Sequence, residues 1–261
     1  MTASLLHAVT ELATLAGNEA NRYFRTGIAV ETKGDGSPVT AADRAAETVA
    51  REWIRARFPD DGILGEEFGL EKADAPRRWV LDPIDGTKSF IHGVPLWGTL
   101  VAVVEGETVL AGAVYAPPTQ EMVAAAPGQG AWFNGTRTYV SSTAELSDAT
   151  LLTTDARFPG RPQRQARWDT LARASRIVRT WGDCYGYLLL ATGRADIMVD
   201  DQMNPWDAAA VQVVVEEAGG RFTDFRGRST AFGGDSIATN GALSAVVRDI
   251  LCPGGDPGLD A

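Results

Sequence analysis

Cysteine and histidine are scarce in this chain, two of each in 261 residues. Cys184 and Cys252 stand far apart, which excludes a disulfide framework or a zinc cluster and suits a reducing cytoplasm. No apolar stretch reaches membrane-spanning length. The N-terminus lacks a basic region followed by a long apolar core, so no signal peptide is expected. Basic residues are outnumbered, 24 Lys and Arg against 34 Asp and Glu, for a formal charge of −10. That balance argues against nucleic acid and anionic membrane as partners. It leaves a phosphorylated small molecule open, because bound cations can invert a local field. Repeats, low-complexity tracts and flexible linkers are missing too. The chain therefore reads as one large domain or two tightly joined halves with a substantial core.

What is present is concentrated in Trp79-Val80-Leu81-Asp82-Pro83-Ile84-Asp85-Gly86-Thr87-Lys88-Ser89-Phe90. An apolar run that reads as a buried strand meets Asp82-Pro83. Proline cannot donate to a sheet ladder, so the strand is expected to end there. Strand ends are where open α/β sheets place ligands. Hard divalent cations such as Mg²⁺ take oxygen ligands in near-octahedral geometry. Asp82, Asp85 and the Ile84 carbonyl between them can supply several such oxygens from one rigid turn. Gly86 and Thr87 can offer backbone N–H groups to a phosphate. The plain alternative is an Asx-type turn with solvated acids.

Apolar spacing predicts an amphipathic helix over residues 4–25. Gly34-Asp35-Gly36-Ser37-Pro38 reads as a turn or mobile loop. Thr40 opens a second helix reaching about Phe58, its Thr40-x-x-Asp43 pattern resembling a capping box. A short strand, Ile63-Leu64, precedes Gly65-Glu66-Glu67. Strands at 97–105 and 108–115 form a hairpin, and a second hairpin turns at Pro127-Gly128. From about residue 149 strands and helices alternate: strands at 151–154, 177–179, 196–199 and 221–224, and helices at 163–174, 183–192 and from Asn204-Pro205 to Ala218, before a last strand–helix pair. The expected organisation is an N-terminal α+β half, 1–148, a C-terminal α/β half, 149–252, and a disordered tail, 253–261.

Three further acids accompany the central motif. Glu66 follows a strand at a glycine turn, from which it can reach a neighbouring strand end. Asp43 and Asp207 lie in first helical turns. Taken alone, those two read as acids complementing a helix dipole, and Glu66 equally as a solvated loop acid.

Together, Gly65-Glu66-Glu67, the segment from Trp79 to Phe90, and Trp206-Asp207-Ala208-Ala209-Ala210 with Glu217-Ala218-Gly219-Gly220 resemble the inositol monophosphatase superfamily. The likeness runs from Lys33 through Asn240. It implies a five-layer αβαβα sandwich of the inositol monophosphatase and fructose-bisphosphatase type, a lithium-sensitive phosphatase activity and a homodimer. It implies two to three Mg²⁺ per site, replaceable by Mn²⁺. Glu66, Asp82 and the Ile84 carbonyl would hold the first ion. Asp82 would bridge to a second, bound also by Asp85 and Asp207, and Glu66 would reach a weaker third. Thr87, hydrogen-bonded to Asp43, would orient the attacking water. The Gly86 and Thr87 N–H groups would hold the phosphate.

The chemistry agrees. Phosphate-monoester hydrolysis is among the slowest uncatalysed reactions, and two cations about 4 Å apart can drive an in-line displacement. Clustered carboxylates repel one another unless cations compensate. No Cys-x5-Arg or Ser-His-Asp set supports a covalent route, and neither His7 nor His92 is taken as catalytic.

Arg179-Thr180-Trp181-Gly182-Asp183-Cys184-Tyr185-Gly186-Tyr187 looks like the histidinol-phosphate phosphatase branch, and Asp200 falls where family members place a substrate-contacting acid. Carboxylates at 183 and 200 suit the ammonium and imidazole of L-histidinol phosphate, whereas inositol offers only hydroxyls. Otherwise Asp183 caps its helix and Asp200 ends a strand at the surface. Trp97 and Trp181 are candidates for the pocket wall or the core. The favoured activity is histidinol-phosphate hydrolysis, the penultimate step of histidine biosynthesis. Inositol-1-phosphatase comes second, and fructose-1,6-bisphosphate or 3′-phosphoadenosine 5′-phosphate hydrolysis is more distant. A non-catalytic metal- or phosphate-binding relative would require a lost ligand or a lost Thr87, and all are in place.

Overall fold

The computed structural model describes residues 4–32, 34, 38–158 and 161–255. Helix α1 (Leu5–Asn21) starts at Ser4, whose hydroxyl accepts the His7 N–H. Strands β1 (Val30–Thr32) and β2 (Pro38–Thr40) pair antiparallel, and most of the glycine-rich loop expected between them lies outside the described residues. Helix α2 (Ala41–Arg57) follows with the expected capping box.

Then come β3 (Gly62–Gly65), β4 (Gly69–Glu71), β5 (Arg77–Asp85), a short helix α3 (Thr87–Ile91), β6 (Gly98–Glu105), β7 (Thr108–Ala116), β8 (Glu121–Ala126), β9 (Gly130–Phe133) and β10 (Thr136–Arg137). They form an eight-stranded sheet in the order β10-β9-β8-β7-β6-β5-β3-β4, antiparallel except for β3 beside β5. The chain continues through β11 (Thr150–Leu152), α4 (Pro162–Ala174), β12 (Ile177–Arg179), α5 (Asp183–Ala191), β13 (Ile197–Asp200), α6 (Pro205–Glu217), β14 (Arg221–Thr223), β15 (Ser236–Thr239) and α7 (Ser244–Leu251). Its five strands order as β12-β11-β13-β15-β14, parallel at β12-β11-β13 and antiparallel beyond. Of the expected tail, residues 253–255 form a turn and 256–261 lie outside the described residues.

Side-chain alternation along the strands builds the layers. Trp79, Leu81, Val101 and Val103 face α1 and α2, while Val80, Leu100, Ala102 and Val104 face α5 and α6. On the small sheet Leu152, Met198 and Ala238 face inward, and Leu151, Ile197, Val199 and Ile237 pack against α4 and α7. The result is the expected αβαβα stack. Helix α6 is buried from Ala208 through Val215 because it lies between two sheets, which explains an apolar sequence without amphipathic period. Among the described residues no helix is long and apolar enough to cross a membrane.

One expectation fails at the centre of the motif. Strand β5 does not stop at Pro83 but continues to Asp85. The register shifts between Asp82, opposite Leu100, and Asp85, opposite Gly98, so Pro83 and Ile84 together face Thr99. A bulge leaves its extra residue outside the ladder, and a proline without an N–H loses nothing there. The Thr99 hydroxyl fastens the bulge by donating to the Pro83 carbonyl at 2.7 Å.

Candidate active site

The bulge aims Asp82 and Asp85 past the end of β5. Asp82 is buried, and its Oδ1 accepts the Ile84 N–H at 3.0 Å, which locks the carboxylate over its own turn. Asp85 Oδ2 accepts the Cys184 N–H at the start of α5. Asp207 comes from the first turn of α6, where Pro205 opens the helix and Asp207 Oδ2 accepts the Asn204 N–H at 2.6 Å. One carboxylate oxygen from each of Asp82, Asp85 and Asp207 lies within 4.8 Å of the others. Glu66, next to β3, is set beside the cluster because its N–H bonds the Leu81 carbonyl of β5 at 3.2 Å. Its carboxyl reaches that of Asp82.

Such crowding has an electrostatic signature. Burial first, then the charges of Glu66, Asp85 and Asp207, push Asp82 well above the usual carboxylate range. Burial, then Asp183 and Asp207, does the same to Asp85. Burial raises Asp207 to about 6, against the opposing Asn204 N–H. A set of all-oxygen donors that resists ionisation in its own company is what a hard divalent cation stabilises, so these residues fit Mg²⁺ or Mn²⁺.

Gly86 follows at φ 86°, the left-handed region, as N-cap of α3. A Cβ there would stand 3.1 Å from Asp183 Oδ2 and 3.1 Å from the Leu96 carbonyl, so glycine lets Asp183 approach the motif. The expected Thr87–Asp43 hydrogen bond is not made. Thr87 has one hydroxyl proton, and it goes to the Ile84 carbonyl at 2.9 Å. Asp43 Oδ2 accepts both the N–H and the hydroxyl of Thr40 at 2.7 Å, completing the α2 cap. Asp43 is buried, and that burial raises its pKa.

Asp183 does not cap α5; Gly182 holds that position. Asp183 adopts φ 51°, rare for a residue with a side chain, and its N–H donates to Thr154 Oγ1 at 2.8 Å. Burial and the charge of Asp200, opposed by Lys88, raise Asp183 to about 7. Asp200 ends β13 in the interior rather than at the surface. It accepts the Thr154 N–H at 2.9 Å and the Tyr187 hydroxyl at 2.8 Å, and Tyr187 in turn lies 2.5 Å from Ser236 Oγ. A cavity of about 110 Å³ joins Asp183 and Asp200 to Asp85 and Asp207, closed by Thr154, Cys184, Tyr187, Gln202 and Met203. A wider recess of about 230 Å³ adjoins it and brings in Lys88 and Arg157.

Thr154, Gln202 and Met203 escaped notice in the sequence, because nothing local marks a loop residue that topology carries to a distant site. Trp97 is wholly buried against Phe24 and Phe90, so it belongs to the core. Trp181 is exposed and lines neither cavity. His7 and His92 are both exposed and line neither cavity, and Cys184 and Cys252 are free, buried thiols.

Comparison with known proteins accords with this geometry. The inositol monophosphatase family profile matches residues 1–251. A protein named histidinol-phosphatase from Chlorobaculum parvum is 44% identical, covering 94% of this chain and 95% of its own. One of the same name from Mycobacterium tuberculosis is 41% identical, covering 85% and 87%. The solved structure of a Thermotoga maritima IMPase superposes with a TM-score of 0.86 at 33% identity, over 95% of this chain and 96% of that one. The chain belongs to the inositol monophosphatase family of phosphatases.

Proposed function

We propose that the chain is a Mg²⁺-dependent phosphatase that hydrolyses L-histidinol phosphate. One observation carries the substrate assignment: the cavity that opens on Asp85 and Asp207 has Asp183 and Asp200 in its wall. An ester whose phosphate rests at the cluster therefore sets its head group against two acids. Asp183, raised to about 7 by burial and by Asp200, gains most from a cationic partner, since an ammonium or imidazolium restores its charge. Two relatives named histidinol-phosphatase favour the same substrate.

Glu66, Asp82, Asp85, Asp207 and the Ile84 carbonyl are the groups that would hold the cations. When bound, these supply Lewis-acid charge for attack of water on phosphorus. The protein's own part is positional. The Gly86 and Thr87 N–H groups orient the phosphoryl group, and Asp183 and Asp200 fix the head group. Thr87, with its hydroxyl re-aimed from Ile84, orients the water, while Asp43 stays with the α2 cap at Thr40. A P–O bond to water forms as the ester P–O bond breaks, releasing L-histidinol and phosphate.

The test is kcat/KM across phosphate esters, with MgCl₂ and with EDTA. L-histidinol phosphate should be preferred and EDTA should abolish turnover. A preference for inositol 1-phosphate would move the chain towards its Thermotoga maritima relative. The family likeness also supports a cytoplasmic homodimer, which sedimentation and fractionation would check.

A further inference from the structure

The turn that presents Glu66 is gripped from behind by an ion pair that takes no part in the reaction outlined above. Glu47, in the middle of α2, is wholly buried. Its carboxylate accepts the Arg51 Nε at 2.7 Å, the Glu67 N–H at 2.8 Å and the Phe68 N–H at 3.2 Å. Arg51, also buried, continues the chain of contacts by donating to the Gly69 carbonyl at 2.5 Å and to Glu71 at 3.1 Å. Gly65 completes the grip, since a Cβ at that position would overlap the Glu47 carboxylate. The backbone is thus tied at 67, 68 and 69 on one side of Glu66, while Gly65 seats against Glu47 on the other.

A tight turn between two strands needs no buried charge, and apolar packing is usually at least as stabilising as a buried ion pair. What such a pair does give is a fixed geometry, because each donor and acceptor has one place to go. We propose that Glu47 and Arg51 are positioning residues for the metal centre, holding residues 65–69 so that the Glu66 carboxylate reaches an ion beside Asp82. The proposal rests on Glu66 as a cation ligand. Neither residue touches the acidic cluster; they act through the backbone of the turn.

The experiment measures Mn²⁺ binding to metal-stripped protein by calorimetry, without substrate, in wild type, Glu47→Gln and Arg51→Lys. Groups that orient ligands typically change metal affinity by about 10–100-fold, so Glu47→Gln should bind at least ~10-fold more weakly. Its kcat at saturating MgCl₂ should stay within about twofold of wild type, and added MgCl₂ should rescue the activity lost at low metal. Arg51→Lys keeps the net charge but loses the fork to Gly69 and Glu71, so a several-fold loss there separates positioning from long-range electrostatics. If Glu47→Gln does not fold, Arg51→Lys decides alone. Wild-type Mn²⁺ affinity in Arg51→Lys, alongside a lowered Tm, would make the pair purely structural and overturn the proposal. A wild-type chain that binds no Mn²⁺ would instead refute the metal centre itself.

Discussion

Asp207→Asn separates the two roles open to that residue, because they demand opposite changes in stability. If Asp207 only caps α6, neutralising it removes a favourable charge from a helix N-terminus and costs about 0.3–1 kcal/mol. If its burial among other acids dominates, the metal-free protein holds an acid raised from 3.8 to about 6. Two pKa units correspond to roughly 3 kcal/mol of destabilisation once the group is ionised. Asparagine keeps an oxygen for the Asn204 N–H while removing that charge, so metal-free Asp207→Asn should be more stable than wild type at about pH 8. For a chain of this size the gain corresponds to a Tm rise of about 5–10 °C. The sign follows from linkage. The folded pKa lies above the unfolded one, so the native state keeps its proton longer, and wild-type stability is lost as pH rises from about 4 through about 6, then levels off. The advantage of the variant should shrink below about pH 5 and nearly vanish at about pH 4. Thermal melts followed by circular dichroism in EDTA, repeated in excess MgCl₂, make the comparison. Metal should stabilise wild type far more than the variant, which should also be inactive. A lower Tm for Asp207→Asn in EDTA at about pH 8, or a difference that ignores pH, would refute the strained acid, and equal stabilisation of wild type and variant by MgCl₂ would refute a cation site at Asp207.

Two other substitutions probe the remaining roles. Thr87→Ala should lower kcat roughly 10²-fold with little change in KM, as expected for a group that positions the nucleophile; a change within about twofold would leave its hydroxyl only the Ile84 contact. Asp183→Asn should weaken L-histidinol phosphate selectively, by about 2 kcal/mol or more of transition-state binding, roughly 30-fold in kcat/KM. Inositol 1-phosphate should change by no more than about twofold, and equal losses on both esters would make Asp183 structural.

The helices were legible because their signals are local. Ser4, the Thr40–Asp43 box and Asn204-Pro205 each satisfy their own first-turn N–H groups, so helix starts fall where the sequence places them. Short α3 and the two-residue β10 carry too few residues for periodicity to register. Strand β5 was recognisable by its apolar run, but its continuation past Pro83 depends on Thr99 across the ladder.

Six residues, Asp82-Pro83-Ile84-Asp85-Gly86-Thr87, were enough to point to a cation and phosphate site, because two carboxylates, a carbonyl and two amides come from one turn; the fold then brings Asp207 from α6 to the same carboxylates. The amino-acid sequence alone also settled the sign of the net charge, most helix starts and, by likeness, the family, though α1 ends at Asn21 rather than near Arg25. Tertiary structure decided where each side chain spends its hydrogen bonds. It turned the Thr87 hydroxyl to Ile84 rather than Asp43, gave Asp183 its left-handed backbone beside Thr154 and Gly86, buried Asp200 under Tyr187, and set Glu47 behind Glu66. Apart from the Thr87 turn, these contacts join residues from 13 positions apart, Tyr187 and Asp200, to 97 apart, Gly86 and Asp183. A carboxylate buried at such a distance from its donors chooses whichever donor the packing of sheets and helices leaves within about 3 Å, and residue spacing carries no record of that choice.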